Sequence, residues 1–180
     1  MQGPIYVVAT HAMGDGLGGE AVTTYTYGGA RMDQDRGFLG FRWQRSVEER
    51  TGIQQYTESR QDYPLIGSLS FSETRTADNR LVSRATNNYA VTQSFGGSVS
   101  FPTVSQSVAE SYELDGSLVS RVTTSSQYDS FGNPTVVDVA ADDGYRKVTT
   151  SKYDNDTARW ILGKITRAEV TAYAPRQATQ

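Results

Sequence analysis

The stretch Tyr128-Asp129-Ser130-Phe131-Gly132-Asn133-Pro134-Thr135 predicts a hairpin between two long β-strands. Gly and Asn are the residue types that best tolerate a positive φ, which a two-residue turn requires at its corner. Pro134 then opens the outgoing strand, where its missing N–H is least costly. Tyr128 and Phe131 flank the turn as packing residues. We therefore expect a tight reversal at Gly132-Asn133.

Turn signals recur through the rest of the chain after residue 65, between runs rich in β-branched and aromatic residues. The first four signals lie 18, 19 and 17 residues apart, which is wider than the roughly 8–12 residues of a compact sandwich. This spacing predicts strands of about 12 residues, or roughly 40 Å. The predicted turns are Asp78-Asn79, Gly96-Gly97, Asp115-Gly116, Gly132-Asn133, Asp143-Gly144 and Asp154-Asn155.

Apolar and polar residues alternate along these strands, which is typical of a sheet with one buried face. We therefore predict an all-β fold of long, mostly antiparallel strands joined by tight hairpins, in a curved sheet with one thin apolar face. The residues expected on apolar faces are Leu81, Ala85, Tyr89, Val91, Val104, Val108, Tyr112, Leu114, Leu118, Val122 and Tyr128.

The first third of the chain also favours strands. Residues 5–10 predict a short strand, and residues 11–19 predict a glycine-rich turn. Residues 22–27 are strand formers, whereas a phosphate-binding loop needs a helix after its glycines, so no phosphate site is expected. Further on, alternation predicts a strand, then a turn at Thr51-Gly52 and a second strand through Tyr56. The apolar residues expected on one face of the first of these strands are Leu39, Phe41, Trp43 and Val47.

The composition excludes several classes of protein. Hydrophobic residues make up 37% of the chain and the mean hydropathy is −0.52, so the core should be thin. The 11 Tyr, 6 Phe and 2 Trp argue against a disordered chain. A net charge of −3 gives no basic surface for nucleic acid or an anionic membrane. No run approaches the roughly 18 apolar residues of a membrane-spanning helix, and without Cys no disulfide can form.

No constellation typical of catalysis or metal binding is present in the sequence. His11 is the only histidine and has no partners at the spacing of a catalytic triad. Adjacent Glu48 and Glu49 point to opposite faces of a strand, so they cannot flank one glycosidic bond. The other ligands of a calcium loop do not follow Asp142-Asp143 or the pair Asp154 and Asp156. We expect no enzymatic activity, no cofactor and no metal; an enzyme using the scattered carboxylates is a competing hypothesis.

The tyrosine-aspartate pair is repeated in weaker form. Tyr112 with Asp115-Gly116 is a looser copy 16 residues before Tyr128, and Tyr153-Asp154 is a degenerate copy 25 residues after it. The unequal spacing excludes a strict solenoid. The Tyr-Asp-x-x-Gly-Asn-Pro pattern resembles the repeat unit of Rhs and YD-repeat proteins.

Two further stretches resemble the shell region of insecticidal toxin-complex B components and SpvB-like virulence proteins. Residues 25–31 and 36–43, continued by 51–52 and 63–67, are similar to the segment that leads into their YD repeats. Residues 160–166 are similar to the stretch that follows those repeats. Together the matches cover roughly residues 4–173, in the family's order. The motif residues are Tyr112, Asp115, Gly116, Tyr128, Asp129, Gly132, Asn133, Pro134, Tyr153, Asp154, Phe38, Gly40, Phe41, Trp43, Trp160 and Gly163.

The resemblance implies a structural function. In these families the strands spiral into a hollow shell that encloses a toxic C-terminal polypeptide, and toxin complexes dock the shell on a translocation pore through a propeller. The implied partners are the rest of the parent shell, the toxin cargo and, through other regions, a pore protein. The implied source is a bacterium that makes the protein in the cytoplasm and releases it within a larger toxin. The sequence lacks the toxin, propeller and self-cleavage segments, so toxicity and cleavage are not assigned to these residues.

The expected organisation is one continuous unit cut from a longer chain. It comprises a β-rich lead-in (1–67), YD-repeat-like hairpins (68–173) and a polar tail (174–180). Unpaired strand edges should make the isolated segment self-associate. The alternating aromatic residues Tyr25, Tyr27, Phe41 and Trp43 leave another function open, that of an extracellular carbohydrate- or cell-surface-binding β module.

Overall fold

A computed structural model describes residues 4–175, which form a large antiparallel sheet. A three-residue 3-10 turn, Phe95–Gly97, is the one helical element in this range. The strands are β1 (Thr10–Gly14), β2 (Glu20–Gly28), β3 (Met32–Asp33), β4 (Gly37–Phe38), β5 (Trp43–Glu48), β6 (Gln54–Ser59), β7 (Leu69–Arg75), β8 (Leu81–Ser94), β9 (Val99–Tyr112), β10 (Leu118–Tyr128), β11 (Pro134–Ala141), β12 (Arg146–Asp156) and β13 (Ile161–Tyr173).

The strands follow one another in an open meander. Eleven of them pair in the order β1-β2-β5-β6-β7-β8-β9-β10-β11-β12-β13, while β3 and β4 form a small separate hairpin. Both β8 and β9 contain 14 residues, so each spans roughly 46 Å at the usual rise. The prediction of an all-β fold with long antiparallel strands is confirmed. Residues 60–68 connect β6 to β7, and these two strands pair with each other. One sheet therefore continues from the lead-in into the hairpins.

The hairpin at Asp129 reverses earlier than predicted. The Gly132 amide donates to the Asp129 carbonyl oxygen (3.2 Å), and the Asp129 amide donates to the Asn133 carbonyl oxygen (3.0 Å). Ser130 and Phe131 therefore form the corner. Gly132 follows them with a φ of 81°, as in a three-residue loop that joins a type I turn to one left-handed residue. The predicted two-residue turn at Gly132-Asn133 is wrong, because the left-handed residue closes the loop instead of forming its corner.

The same loop recurs in three other hairpins. Residues 76–80, 113–117 and 141–145 show the same pair of backbone hydrogen bonds. In each, the residue before the last adopts a positive φ: 66° at Asn79, 91° at Gly116 and 92° at Gly144. The predicted turns at Asp78-Asn79, Asp115-Gly116 and Asp143-Gly144 are thus confirmed.

The predicted turn at Asp154-Asn155 is wrong. Both residues lie within β12, where Asp154 is paired with Lys164 of β13. The chain reverses after Asp156, and Trp160 supplies the positive φ, 57°. The polar side chain of Asn155 serves a distant turn instead of a local one, since it hydrogen-bonds with Asp129 and Asn133.

The start of the chain also departs from the prediction. The first strand begins at Thr10 instead of ending there, so His11 lies exposed on β1 and not in a loop. The loop is shorter, and the Asp15 carboxylate closes it by accepting hydrogen bonds from the amides of Leu17 (2.8 Å) and Gly19 (2.9 Å). Short-range carboxylate–amide bonds of this kind set the turn locally.

The strand predicted from Leu39 begins only at Trp43. Gly40, with a φ of 87°, breaks the extended backbone before it. Leu39 (5% exposed) and Leu65 (6%) are the two buried apolar side chains among residues 4–175, and both lie in loops beside the sheet. Gln61 joins these loops by donating to the carbonyl oxygens of Gly29 (2.7 Å) and Gly40 (2.8 Å). Most side chains on the sheet itself remain partly exposed.

The expectation of one apolar face is wrong. Val108 of β9 pairs with Thr123 of β10, whereas Val122 pairs with Ala109. Directly paired residues share a face of a sheet, so Val108 and Val122 lie on opposite faces. The register between strands and the bulge in β9 opposite Asn88 and Tyr89 place the apolar residues on both sides of the sheet.

The two faces differ in charge. One carries a line of directly paired residues that we call the charged row, and the other carries a line that we call the small-residue row. The charged row is Arg45, Tyr56, Glu73, Arg84, Glu110 and Arg121. The small-residue row is Ser72, Ala85, Ala109, Val122 and Ala141.

Strands β1 and β13 are the two edges of the sheet, and β13 is the longer. Its last ten residues are all exposed. Unpaired backbone groups along such an edge can pair with another chain. We expect the purified chain to self-associate, with an apparent mass above 19.7 kDa by light scattering at high concentration.

A lysine on the edge strand should oppose this pairing. Val170→Lys on β13 is expected to shift the chain towards monomer, whereas Val119→Lys on the interior strand β10 should leave association unchanged. The two valines are comparably exposed, at 63% and 55%. A strictly monomeric wild-type chain would contradict the prediction.

Candidate functional site

The Asp129 carboxylate forms the centre of a group of hydrogen bonds that we call the clasp, made of Asp129, Asn133, Asn155 and Gly163. One oxygen, Oδ1, accepts from the amides of Phe131 and Asn133, each at 2.9 Å. The other, Oδ2, accepts from the side-chain amides of Asn133 (2.9 Å) and Asn155 (3.1 Å). Asn155 Oδ1 in turn accepts from the Gly163 amide at 2.8 Å. The clasp thus ties the β10–β11 turn to β12 and β13.

The environment of Asp129 favours the ionised carboxylate. Burial raises its pKa, but the hydrogen bonds from Asn133, Phe131 and Asn155 outweigh burial and hold the pKa below its ordinary value. An ionised acceptor makes stronger bonds than a neutral one. The clasp is therefore strongest above the acid range.

Beside the clasp lie four aromatic residues that we call the end cluster: Phe95, Phe101, Phe131 and Trp160. The Phe95 ring lies 5.8 Å from Phe131 and 5.5 Å from Trp160 between centroids. Phe95 and Trp160 both adopt positive φ, 52° and 57°, a conformation that costs a non-glycine residue roughly 1–3 kcal/mol. Three consecutive turns on the same end of the sheet meet here, and their contacts hold these backbones in place.

The structure brings together some of the predicted motif residues and separates others. Asp129, Gly132, Asn133, Trp160 and Gly163 meet at the clasp and end cluster. The copy at Tyr112 and Asp115-Gly116 lies at the opposite end of the sheet, because successive turns of a meander alternate between ends. There the Asp115 carboxylate contacts only Ser117, in its own turn.

The remaining motif residues lie on or beside strands. Tyr128 ends β10 and donates from its hydroxyl to the Val104 carbonyl oxygen (2.9 Å), and Pro134 opens β11 as expected. Tyr153 and Asp154 lie in β12, where they pair with Ile165 and Lys164 of β13. In the lead-in, Phe41 packs between Phe38 (5.4 Å) and Tyr27 (5.0 Å), with Gly40 just before it.

The four aromatic residues considered for sugar stacking do not form one surface. Thr26 is paired with Arg45, so Tyr25 and Tyr27 point to the face opposite the charged row, while Trp43, two residues from Arg45, lies on the same face as that row. Trp43 instead stacks beside Tyr56, with centroids 6.1 Å apart.

Sequence analysis missed Glu110, the one buried residue of the charged row. Glu110 is 8% exposed and accepts hydrogen bonds from Arg84 Nη2 (2.7 Å), Arg121 Nε (2.8 Å) and the Tyr112 hydroxyl (2.9 Å). The hydrogen bond from Arg84, which has the larger effect, and the one from Arg121 lower the pKa of Glu110 to about 2. Arg84 and Glu110 are 26 residues apart in sequence, and no local pattern joins residues at that distance.

The acid stability of the chain should depend on Glu110. Its carboxylate stabilises the fold fully above the ordinary pKa of 4.5, and this contribution is lost as the pH falls towards 2. The lowered pKa corresponds to about 3 kcal/mol, which we reduce to about 2 kcal/mol because the two arginines are 40% and 52% exposed. Glu110→Gln should lose that amount at pH 7 and flatten the decline below pH 4.5.

Urea unfolding between pH 2 and pH 7 measures this effect. Glu169→Gln, which removes the carboxylate of an exposed ion pair with Arg167 on the edge strand, is the matched control and should change little. Equal losses in the two variants would show that the charged row contributes no more than an ordinary surface pair.

Among residues 4–175 no group of three or more His, Cys, Asp or Glu side chains is placed to hold a metal ion. The same part of the chain contains no helix long and apolar enough to cross a bilayer.

Comparison of the fold with solved structures gives a clear match. The sheet resembles part of one chain in the crystal structure of TcdB2–TccC3–Cdc42. The TM-score is 0.68 over 87% of this chain, at 13% sequence identity. The aligned region spans only 12% of the length of that chain. No protein-family model and no curated protein sequence matches the chain.

Proposed function

We propose that this chain is an arc in the wall of a YD-repeat, toxin-complex-like shell that encapsulates a toxic polypeptide for delivery. The fold shared with a TcdB2–TccC3 toxin-complex chain is the observation that carries the proposal. The motif resemblance at Tyr128-Asp129 and at residues 160–166 supports it, since Asp129 and Gly163 lie in the clasp and Trp160 in the end cluster.

The packing of the sheet supports a wall in place of a self-contained globule. The two buried apolar side chains of residues 4–175 are leucines in loops, so neither face of the sheet is covered by a packed core. An open sheet with two free edges gains stability when further strands extend it. A larger polypeptide would supply those strands.

The proposal assigns the chain no catalytic role. The oxygens of the Asp129 and Glu110 carboxylates accept hydrogen bonds from donors of this chain. This arrangement favours a structural role for both side chains. The proposed source is a bacterial protein made in the cytoplasm and released as part of a larger toxin. Its proposed partners are the rest of the shell, the enclosed cargo and, through other regions, a translocation pore protein.

The mass of the native protein tests the proposal. An antibody raised against this chain should detect a polypeptide several times heavier than 19.7 kDa in the source cells. After purification of that parent, limited proteolysis should spare an enclosed fragment, and the same fragment should be digested once the shell is opened with urea. A parent of 19.7 kDa, or a fragment digested equally in both conditions, would contradict encapsulation.

A further inference from the structure

A cavity of about 320 Å³ lies on the charged face over β5, β6 and β7. Its volume falls at the lower end of the roughly 300–1,000 Å³ that small-ligand sites occupy, so it suits a ligand about the size of a sugar ring. The side chains that matter for binding are Trp43, Arg45, Gln54, Tyr56, Glu73 and Arg75.

Two aromatic rings at fixed positions form part of the wall. The Trp43 and Tyr56 rings are inclined by only 29°. Gly28 lies directly against Trp43, since a Cβ on Gly28 would come within 2.2 Å of the indole ring. The Tyr56 hydroxyl is anchored by donating to Glu58 Oε1 (2.7 Å). Rings held in this way present a rigid apolar surface at little entropic cost to a ligand.

Arg45 is the one arginine of the charged row whose direct strand partners include no carboxylate. Its paired neighbours are Thr26 and Tyr56, whereas Arg84 and Arg121 share Glu110. Within residues 4–175 it makes no salt bridge, and its guanidinium donates to the amide oxygen of Gln54 at 2.5 Å. Most of its five N–H donors therefore remain available.

The other charges around the cavity balance each other. Arg75 binds Glu73 through Nε (2.8 Å) and Nη2 (3.0 Å) and also donates to the Asn79 carbonyl oxygen. This pair adds no net charge, so the side chains that line the cavity carry one net positive charge, at Arg45. Glu58, which binds the Tyr56 hydroxyl, lies outside that lining. A ligand with one carboxylate would complement it.

We propose that this cavity binds an acidic sugar of the uronic acid type. The C–H groups of one face of the sugar ring pack on Trp43 and Tyr56, because an aromatic face is electron-rich. The sugar carboxylate accepts a two-pronged hydrogen bond from Arg45. Gln54 and Glu73 are placed to bond the ring hydroxyls. This binding activity is independent of the shell function proposed above.

Tryptophan fluorescence offers a direct test, since the chain contains two tryptophans. In the Trp160→Phe variant, Trp43 is the sole reporter. Titration with methyl glucuronide should give a saturable change, and methyl glucoside, which lacks the carboxylate, should bind at least tenfold more weakly. Arg45→Gln should weaken glucuronide binding at least tenfold, and Arg45→Lys should weaken it less because the charge remains.

Matched controls separate this site from general charge effects. Arg146→Gln removes an exposed arginine that pairs with Asp138 elsewhere on the sheet, and it should leave binding unchanged. Circular dichroism confirms that each variant is folded. The proposal is overturned by the absence of a saturable change, by equal affinity for glucuronide and glucoside, by an unaffected Arg45→Gln variant, or by equally tight binding of an acidic peptide.

Discussion

Replacing Asp129 with alanine is expected to lower the free energy of unfolding by about 4 kcal/mol. The change removes both carboxylate oxygens of the clasp and leaves four donors, from Phe131, Asn133 and Asn155, without their acceptor. Two of these donors are the backbone amides that shape the loop, and one comes from β12. The loss should therefore affect the turn and its tie to the neighbouring hairpin together. Urea unfolding followed by circular dichroism measures it.

Asp115→Ala is the matched control for this experiment. Asp115 occupies the corresponding kind of turn, but its carboxylate is exposed and accepts only from the amide and hydroxyl of Ser117. Removing it should cost much less, because water can replace a local, exposed acceptor. If the two variants lose equal stability, the contacts of Asp129 with Asn155 contribute nothing beyond the local turn.

Gly132→Val is expected to destabilise the chain by about 3 kcal/mol. The backbone φ of 81° disfavours any β-branched residue. In addition, a Cβ at this position would lie 3.1 Å from the Phe101 ring, inside the end cluster. Backbone strain and crowding therefore add to each other. Thermal unfolding is a suitable measurement.

Gly116→Val separates the two causes. Gly116 has a similar φ of 91°, and no atom lies within 4 Å of the position a Cβ would take. Its loss should be about 2 kcal/mol, from strain alone. A Gly132 variant as stable as the wild type would mean that the loop tolerates another conformation, and equal losses at both positions would remove Phe101 from the explanation.

The fold comparison concerns the whole sheet, whereas the variants above concern individual turns. A TM-score of 0.68 at 13% identity shows a shared sheet architecture, and the clasp and end cluster show how this chain stabilises one end of it. Sequence resemblance selected Asp129, Asn133 and Gly163 as motif residues. Their direct or linked hydrogen bonds give a physical reason for residues of those types at those positions.

Local chemistry allowed much of the fold to be predicted from sequence. A left-handed residue is required near the end of each three-residue loop, so Asn79, Gly116 and Gly144 marked their turns reliably. Alternation within a strand follows from the pleat alone and needs no partner. The sequence therefore predicted long strands, antiparallel hairpins and a thin core.

The faces of the sheet could not be predicted in this way. A one-residue change of register moves every side chain of a strand to the other face, and register depends on turn geometry and β-bulges between partners. Strand β9 carries such an irregularity opposite Asn88 and Tyr89 of β8. For this reason the charged row around Glu110 and the exposed position of Arg45 above the cavity were visible only in the structure.

Asn155 shows the same division in a single residue. The dipeptide Asp154-Asn155 is typical of a turn, and no neighbouring residue contradicts that interpretation. In the fold its side chain contacts Asp129 and Asn133, 26 and 22 residues earlier, while its backbone remains in β12. The sequence by itself determined that this chain forms long hairpins and where most of them turn, because those choices depend on neighbouring residues. Tertiary structure decided which face each side chain occupies and which turns are tied together, because those choices depend on residues brought together only by strand pairing.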